Sequence, residues 1–255
     1  MKASALFDLT GEVALVTGAS SGLGKRFAQV LAANGAKVVC VARRKDRLEQ
    51  LVSAIGPNAI AVEADVGDRD AMARAFDAAE AAFGTVTLLV NNAGIAHTAR
   101  ALDGAEEIWR QTMAVNLDAV YFVAQLAAQR MAAAGKPGSI INIASILGFG
   151  AGRGVAAYAV SKAGVVQLTR ALGLEFARLG IRVNAIAPGY FITEINEDFL
   201  TTKGAAMAKD IPMGRFGKEG ELDGVLLLLA SKAGSYINGV TYAVDGGHLA
   251  GLKGL

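Results

Sequence analysis

Between Val13 and Leu31 the chain runs from an apolar stretch, Val-Ala-Leu-Val-Thr, through Gly18-Ala-Ser-Ser-Gly22-Leu-Gly24 into a helix. The apolar positions Leu23, Phe27, Val30 and Leu31 of that helix recur at helical spacing. The first stretch is β-branched and shows no polar alternation, as expected of a strand covered on both faces. Glycines let the backbone of the turn come close to a ligand. The first amides of the helix lack intrahelical partners and lie at the positive end of its dipole. A strand, a glycine turn at the spacing Gly-x-x-x-Gly-x-Gly and a helix start therefore make a cradle for phosphate. Asn34-Gly35 closes the helix as a left-handed cap would.

The same alternation continues to the end of the chain. Lys37 to Ala42, Ala59 to Glu63, Thr87 to Val90, Ser139 to Ile143, Ile181 to Ala187 and Val240 to Val244 read as further strands. Helical patterns lie between them, through Leu48–Ile55, Met72–Phe83, Glu106–Ala134, the helix of Tyr158 that stops near Leu179-Gly180, and Glu219–Ala230. Alternating strands and helices predict an α/β fold: one Rossmann-type, doubly wound domain over residues 1–255, with a parallel sheet and helices on both faces. Residues 190–215 are irregular around a helix-like centre, which fits a substrate lid.

Composition narrows the function. Apolar residues make up 53% and glycines number 31, so a large core and many tight turns are expected. Basic and acidic side chains nearly balance, 25 against 23, which excludes a nucleic-acid footprint and a basic membrane surface. No apolar run approaches a membrane span, and the amino-terminal stretch lacks the core of a signal peptide. Cys40 is the only cysteine, so no intrachain disulfide forms, and a reducing cytoplasm is expected. No metal-ligand cluster stands out.

Chemistry concentrates between Ser145 and Lys162. A serine closes a strand, and after a loop a helix carries Tyr158 and Lys162 at i and i+4, on one face. A free phenol titrates near ~10, so a neighbouring ammonium is the simplest way to make Tyr158 a usable acid. Ser145 would steady an oxygen on which charge develops. At the end of the second strand stands Ala42-Arg43-Arg44, where an acidic residue would have held ribose hydroxyls. A guanidinium suits a 2′-phosphate, so Arg43 points to NADP(H) over NAD(H), and Arg44 reads as solvated.

Taken in order, these motifs resemble the short-chain dehydrogenase/reductase family over essentially the whole chain. Thr17-Gly18-x-x-x-Gly22-x-Gly24, with Ser20, Ser21 and Leu23, is similar to its cofactor loop. Asp65 and Val66 match its adenine contact, and Asn92, Ala93 and Gly94 within Asn91-Asn92-Ala93-Gly94 match the segment beside the adenine ribose. Asn116, Ser145, Tyr158 and Lys162 match the catalytic tetrad. Pro188, Gly189, Phe191 and Thr193 match the nicotinamide segment. The resemblance implies a strand order 3-2-1-4-5-6-7, a homotetramer, hydride transfer with Tyr158 as general acid/base, and Lys162 on the nicotinamide ribose. For Asn116 it implies a water anchor for Lys162, beside the simpler role of bonding backbone in a bent helix.

Substrate contacts are expected from His97, Leu147, Phe149, Val155, Tyr190, Ile195 and Phe199. The apolar members of the lid, Phe191, Ile195, Phe199, Leu200 and Met207, favour a hydrophobic ketone or secondary alcohol as the small-molecule substrate. The alternatives are a polyol or sugar-acid dehydrogenase, a 3-oxoacyl carrier-protein reductase, and a dinucleotide-binding regulator without turnover.

Overall fold

The structure is a computed structural model that describes residues 2–192, 204, 207–218 and 220–251. A one-turn helix α1 (Ala3–Leu6) precedes β1 (Val13–Thr17), α2 (Gly22–Ala33), β2 (Lys37–Ala42), α3 (Lys45–Ile55), β3 (Ala59–Glu63), α4 (Arg69–Phe83) and β4 (Leu88–Asn91). Then come α5 (Glu106–Met113), a π-helical turn (Ala114–Asp118), α6 (Ala119–Ala133), β5 (Gly138–Ile143), α7 (Ala156–Phe176), β6 (Ile181–Pro188), α8 (Asp223–Ala230) and β7 (Thr241–Val244). The last helix begins at Asp223 rather than Glu219, after a glycine with positive φ at Gly220.

The seven strands form one parallel sheet in the order β3-β2-β1-β4-β5-β6-β7, as expected. Every residue of β1 is buried, which explains why its sequence carries no polar alternation. Successive strand residues point to opposite faces. Ala14 and Val16 join Phe27, Leu31, Leu48, Leu226 and Leu229 under α2, α3 and α8. Val13 and Leu15 join Met72, Phe76, Val123, Met131 and Leu172 under α4, α6 and α7. Complete burial of a leucine such as Leu15 is worth about 1.5–3 kcal/mol, so the two layers fix which strand edges can pair.

A buried polar chain ties the middle of the sheet to α7. Asn91 Nδ2 donates to Val120 O (3.2 Å) and to Asn142 Oδ1 (3.1 Å). Asn142 Nδ2 then donates to Thr169 Oγ1 (3.0 Å), and Thr169 donates to Val165 O (2.8 Å). The strand order reverses between β1 and β4, so a crevice opens at their carboxyl ends.

Candidate active site

The floor of the crevice is the glycine turn. Gly18 and Gly22 have φ of +67° and +50°, a region costly for other residues. A Cβ on Gly24 would overlap the Gly18 carbonyl oxygen and the Asn92 side-chain nitrogen, so only glycine lets the start of α2 sit this close. Ser21 caps α2 without a side-chain bond to its amides, which leaves the first-turn N–H groups for an anion. These features fit the pyrophosphate of a dinucleotide.

Thr17 holds the two strand ends together. Its Oγ1 accepts from the amides of Asn92 (3.0 Å) and Ala93 (3.1 Å), while Asn92 Nδ2 donates back to Thr17 O (3.0 Å) and Gly18 O (3.3 Å). Asn92 thus sits beneath the cradle with its side-chain N–H groups engaged. At the adenosine end, Arg43 Nη1 lies 3.7 Å from Asp65 Oδ2 in an exposed pair, and Asp65 Oδ1 accepts from Gly67 N (2.9 Å). Val66 follows, half-buried. Arg44 is not simply solvated: its guanidinium donates to the hydroxyls of Ser20 and Ser21.

Beside the cradle, Ser145 follows the end of β5 and caps a 3-10 turn, Ile146–Gly148, with Oγ accepting from Leu147 N (3.2 Å). That turn packs on α7 so closely that a Cβ on Gly148 would come within 2.8 Å of the Lys162 carbonyl oxygen. Gly148 therefore sets the approach of Ser145 to the helix of Tyr158. Burial pushes the Tyr158 phenol above its ordinary range, and a hydrogen bond with Ser145 pulls the other way.

The lysine reaches the ring of Tyr158 while its hydrogen bond goes to the backbone. Lys162 is buried, and its Nζ donates to Ile143 O (2.7 Å), 5.7 Å from the centre of the Tyr158 ring. Burial lowers the Lys162 pKa to about 8. The ammonium is held by a carbonyl at the end of β5, and the hydrogen bond with Ser145 opposes the rise of the phenol.

Asn116 lies in the π turn, completely buried. Its Oδ1 accepts from Ile95 N (2.9 Å), and its Nδ2 donates to Ile95 O (2.9 Å) and Ser161 Oγ (3.3 Å). The backbone-bonding role is thus present. A Cβ on Gly94 would stand 3.3 Å from Asn116 Oδ1 and 3.7 Å from Lys162 Nζ, so Gly94 is the spacer between them.

Across the crevice, Gly189 N donates to Val244 O (2.9 Å) just after Pro188, and a Cβ there would come within 2.7 Å of Asp245 Cα. Phe191 turns its ring into the core over Gly217, where a Cβ would overlap it. Thr193, Ile195, Phe199 and Leu200 lie outside the described residues. Tyr190 packs edge-on against Phe216 and His248, with centroids 6.3 and 5.7 Å away, and burial first and Asp210 second raise its phenol. At the mouth, Ala99 N donates to Gly154 O (2.8 Å) and pairs as a bridge with Val155. A Cβ on Gly152 would touch Val155 and Leu147, at 3.0 and 3.6 Å, so these two expected contacts do come together. His97 and Phe149 are exposed, Phe149 by 47%.

Thr17, Arg44, Gly148 and the Asn91–Asn142–Thr169 chain were not singled out for these contacts from the sequence. Only Arg44 carried a signal, its position beside Arg43. Among the described residues there is no metal-ligand cluster, and no helix is long and apolar enough to cross a membrane.

A Rossmann-type sheet with a phosphate cradle at its switch point and a serine–tyrosine–lysine group beside it defines an NAD(P)-dependent dehydrogenase. The chain belongs to the short-chain dehydrogenase family, whose model matches residues 12–204, and it is an oxidoreductase acting on CH–OH groups. It is 41% identical over 248 residues to 2-dehydro-3-deoxy-D-gluconate 5-dehydrogenase of Escherichia coli (strain K12), covering 96% of this chain and 98% of the relative. It is 40% identical over 253 residues to galactitol 2-dehydrogenase (L-tagatose-forming) of Cereibacter sphaeroides, covering 95% and 97%. The crystal structure of a gluconate 5-dehydrogenase from Burkholderia cenocepacia J2315, in complex with NADP and tartrate, superposes with a TM-score of 0.94 at 37% identity, covering 98% of this chain and all of that one.

Proposed function

We propose that the protein interconverts a secondary alcohol and a ketone on a sugar acid or polyol, with NADP(H) as the hydride partner. The observation that carries the chemistry is the Ser145–Tyr158 hydroxyl pair at the carboxyl end of β5, next to the glycine cradle. A substrate oxygen entering between the two hydroxyls replaces their mutual bond with one from each. When bound, the nicotinamide supplies or accepts the hydride at the carbonyl carbon. In reduction Tyr158 gives its proton to the oxygen as charge builds there, and in oxidation it takes that proton back; Ser145 stabilises the same oxygen in both directions. Lys162, 5.7 Å from the centre of the Tyr158 ring, would hold the nicotinamide ribose and favour the ionised phenol, and Asn116 keeps the segment after Gly94 in place beside it.

The substrate class rests on the relatives, whose names are those of sugar-acid and polyol dehydrogenases. This replaces the hydrophobic ketone expected from the apolar residues of the lid. That second reading keeps two supports, the exposed Phe149 ring and the meeting of Leu147 and Val155 around Gly152. The expected lid, 190–215, lies in part outside the described residues and would cover the substrate in either case. Assembly as a homotetramer is carried by the family resemblance, and a groove lined by Leu117, Tyr121, Phe122, Gly164 and Leu168 offers one surface that a further copy could cover. Light scattering tests that state.

Reduction of NADP followed over gluconate, 2-dehydro-3-deoxygluconate and galactitol tests the substrate class, with oxidation of NADPH followed over apolar ketones and acyl thioesters. Turnover on the first group is expected. A preference for ketones or thioesters would replace this reading, and binding of NADPH without turnover on any of them would favour the silent regulator.

A further inference from the structure

Arg44 stands at the amino-terminal cap of α3, and its carbonyl accepts from Leu48 N at the start of that helix, which fixes its backbone. The glycine turn is drawn alongside by Ala19 N, which donates to Val41 O (3.2 Å) in the neighbouring strand. Across this gap Arg44 Nε and Nη2 donate to Ser20 Oγ, at 3.2 and 3.0 Å, and Nη2 donates to Ser21 Oγ at 2.6 Å. A serine hydroxyl has one proton to give and lone pairs to accept with. By accepting from Arg44, both serines keep their own O–H for an anion. The guanidinium and the two hydroxyls thus form one donor surface on the turn side of the adenosine end.

Arg43, the preceding residue, is already 3.7 Å from a carboxylate, Asp65. A phosphate monoester carries about −1.5 to −2 charges at neutral pH. One guanidinium partly satisfied by Asp65 leaves such a group undercompensated, and a second cation across the gap restores the balance.

We propose that Arg44, acting with Ser20 and Ser21, is a second determinant of NADP(H) specificity that grips the 2′-phosphate from the glycine-turn side while Arg43 grips it from the Asp65 side. This deepens the NADP(H) reading above and rests on it. The planar fork matters as well as the charge, because one guanidinium serves two hydroxyls at once.

The test needs no substrate. Dissociation constants of NADPH and NADH are measured from the fluorescence of the bound nicotinamide, for the full-length protein and for Arg43→Ala, Arg44→Ala, Arg44→Lys and the double alanine variant. Wild type is expected to favour NADPH. Arg44→Ala should lower the NADPH/NADH preference about tenfold or more with NADH binding nearly unchanged, Arg44→Lys should restore it in part, and the double variant should abolish it. General damage to the turn would weaken both cofactors together and leave the ratio intact, which would overturn the proposal. A ratio that depends on Arg43 alone would also overturn it while leaving the NADP(H) reading standing. Equal binding of both cofactors by wild type would remove that reading itself. Displacement by 2′,5′-ADP against 5′-AMP repeats the comparison without the nicotinamide half.

Discussion

The floor of the crevice and its mouth are built on opposite terms. On the floor, Thr17, Asn92, Asn116, Ser145 and Lys162 each spend hydrogen-bonding capacity on a backbone group of another segment or of their own turn. Glycines at positions 18, 24, 94 and 148 allow approaches that a methyl group would block or crowd. At the mouth, a single short bridge joins Ala99 to Val155, and His97 and Phe149 face solvent. Groups on the floor are fixed by packing and those at the mouth are left adjustable, the division expected of a site that joins a shared cofactor to a variable substrate.

The sharpest attempt to break this contrast is Tyr158→Phe, which removes one oxygen from the floor and little volume. Loss of turnover by roughly 10²–10⁴ is expected, the range for general acid–base catalysis, with NADPH binding and thermal stability nearly intact. Turnover near wild type would end the role given to Tyr158. Next, Gly24→Ala should weaken binding of both NADPH and NADH on the order of a hundredfold, read by fluorescence titration, because the added methyl overlaps Gly18 and Asn92.

A third effect concerns pH. Lys162 titrates at about 8 when folded, against 10.5 as the reference value. Across that window the unfolded chain holds a proton that the folded protein has released, so the stability contribution of Lys162 rises with pH. Urea unfolding of wild type and Lys162→Met should show the difference between them shift by about 2 kcal/mol in favour of wild type from pH 8 to pH 10. A flat difference would mean that the buried amine is not desolvated as described.

The smallest effect belongs to the mouth. Phe149→Ala should change KM for a sugar acid or polyol by about three- to tenfold and leave kcat within about twofold, since it removes apolar contact without touching the reacting oxygen. A loss as large as that of Tyr158→Phe would place Phe149 on the floor and collapse the distinction.

The sequence was most readable where a local rule is strict. The apolar run Val13–Thr17, the glycine turn and the i, i+4 spacing of Tyr158 and Lys162 each follow from backbone geometry, and the structure places all three at one crevice. It was least readable where the deciding partner is a backbone group far along the chain. Nothing near Lys162 announces that Ile143 O, nineteen residues back, will hold its ammonium. Nothing near Arg44 announces two serines more than twenty positions earlier. Thr17 belongs to the turn motif in sequence, yet its bonds to Asn92 and Ala93 arise only because β1 and β4 are neighbours. At the mouth the apolar residues were found, but apolar lining by itself does not separate a ketone from a sugar acid.

The π turn at Ala114–Asp118 has a consequence for how this protein can vary. Each residue of a helix turns the chain by about a hundred degrees, so removing one to restore an even winding would swing Val120, Val123 and Met131 away from the strands they cover. It would also pull Asn116 off Ile95. The length between Met113 and Ala119 is therefore as much an inherited requirement as any side chain within it, and single-residue deletions there should be far less tolerated than substitutions.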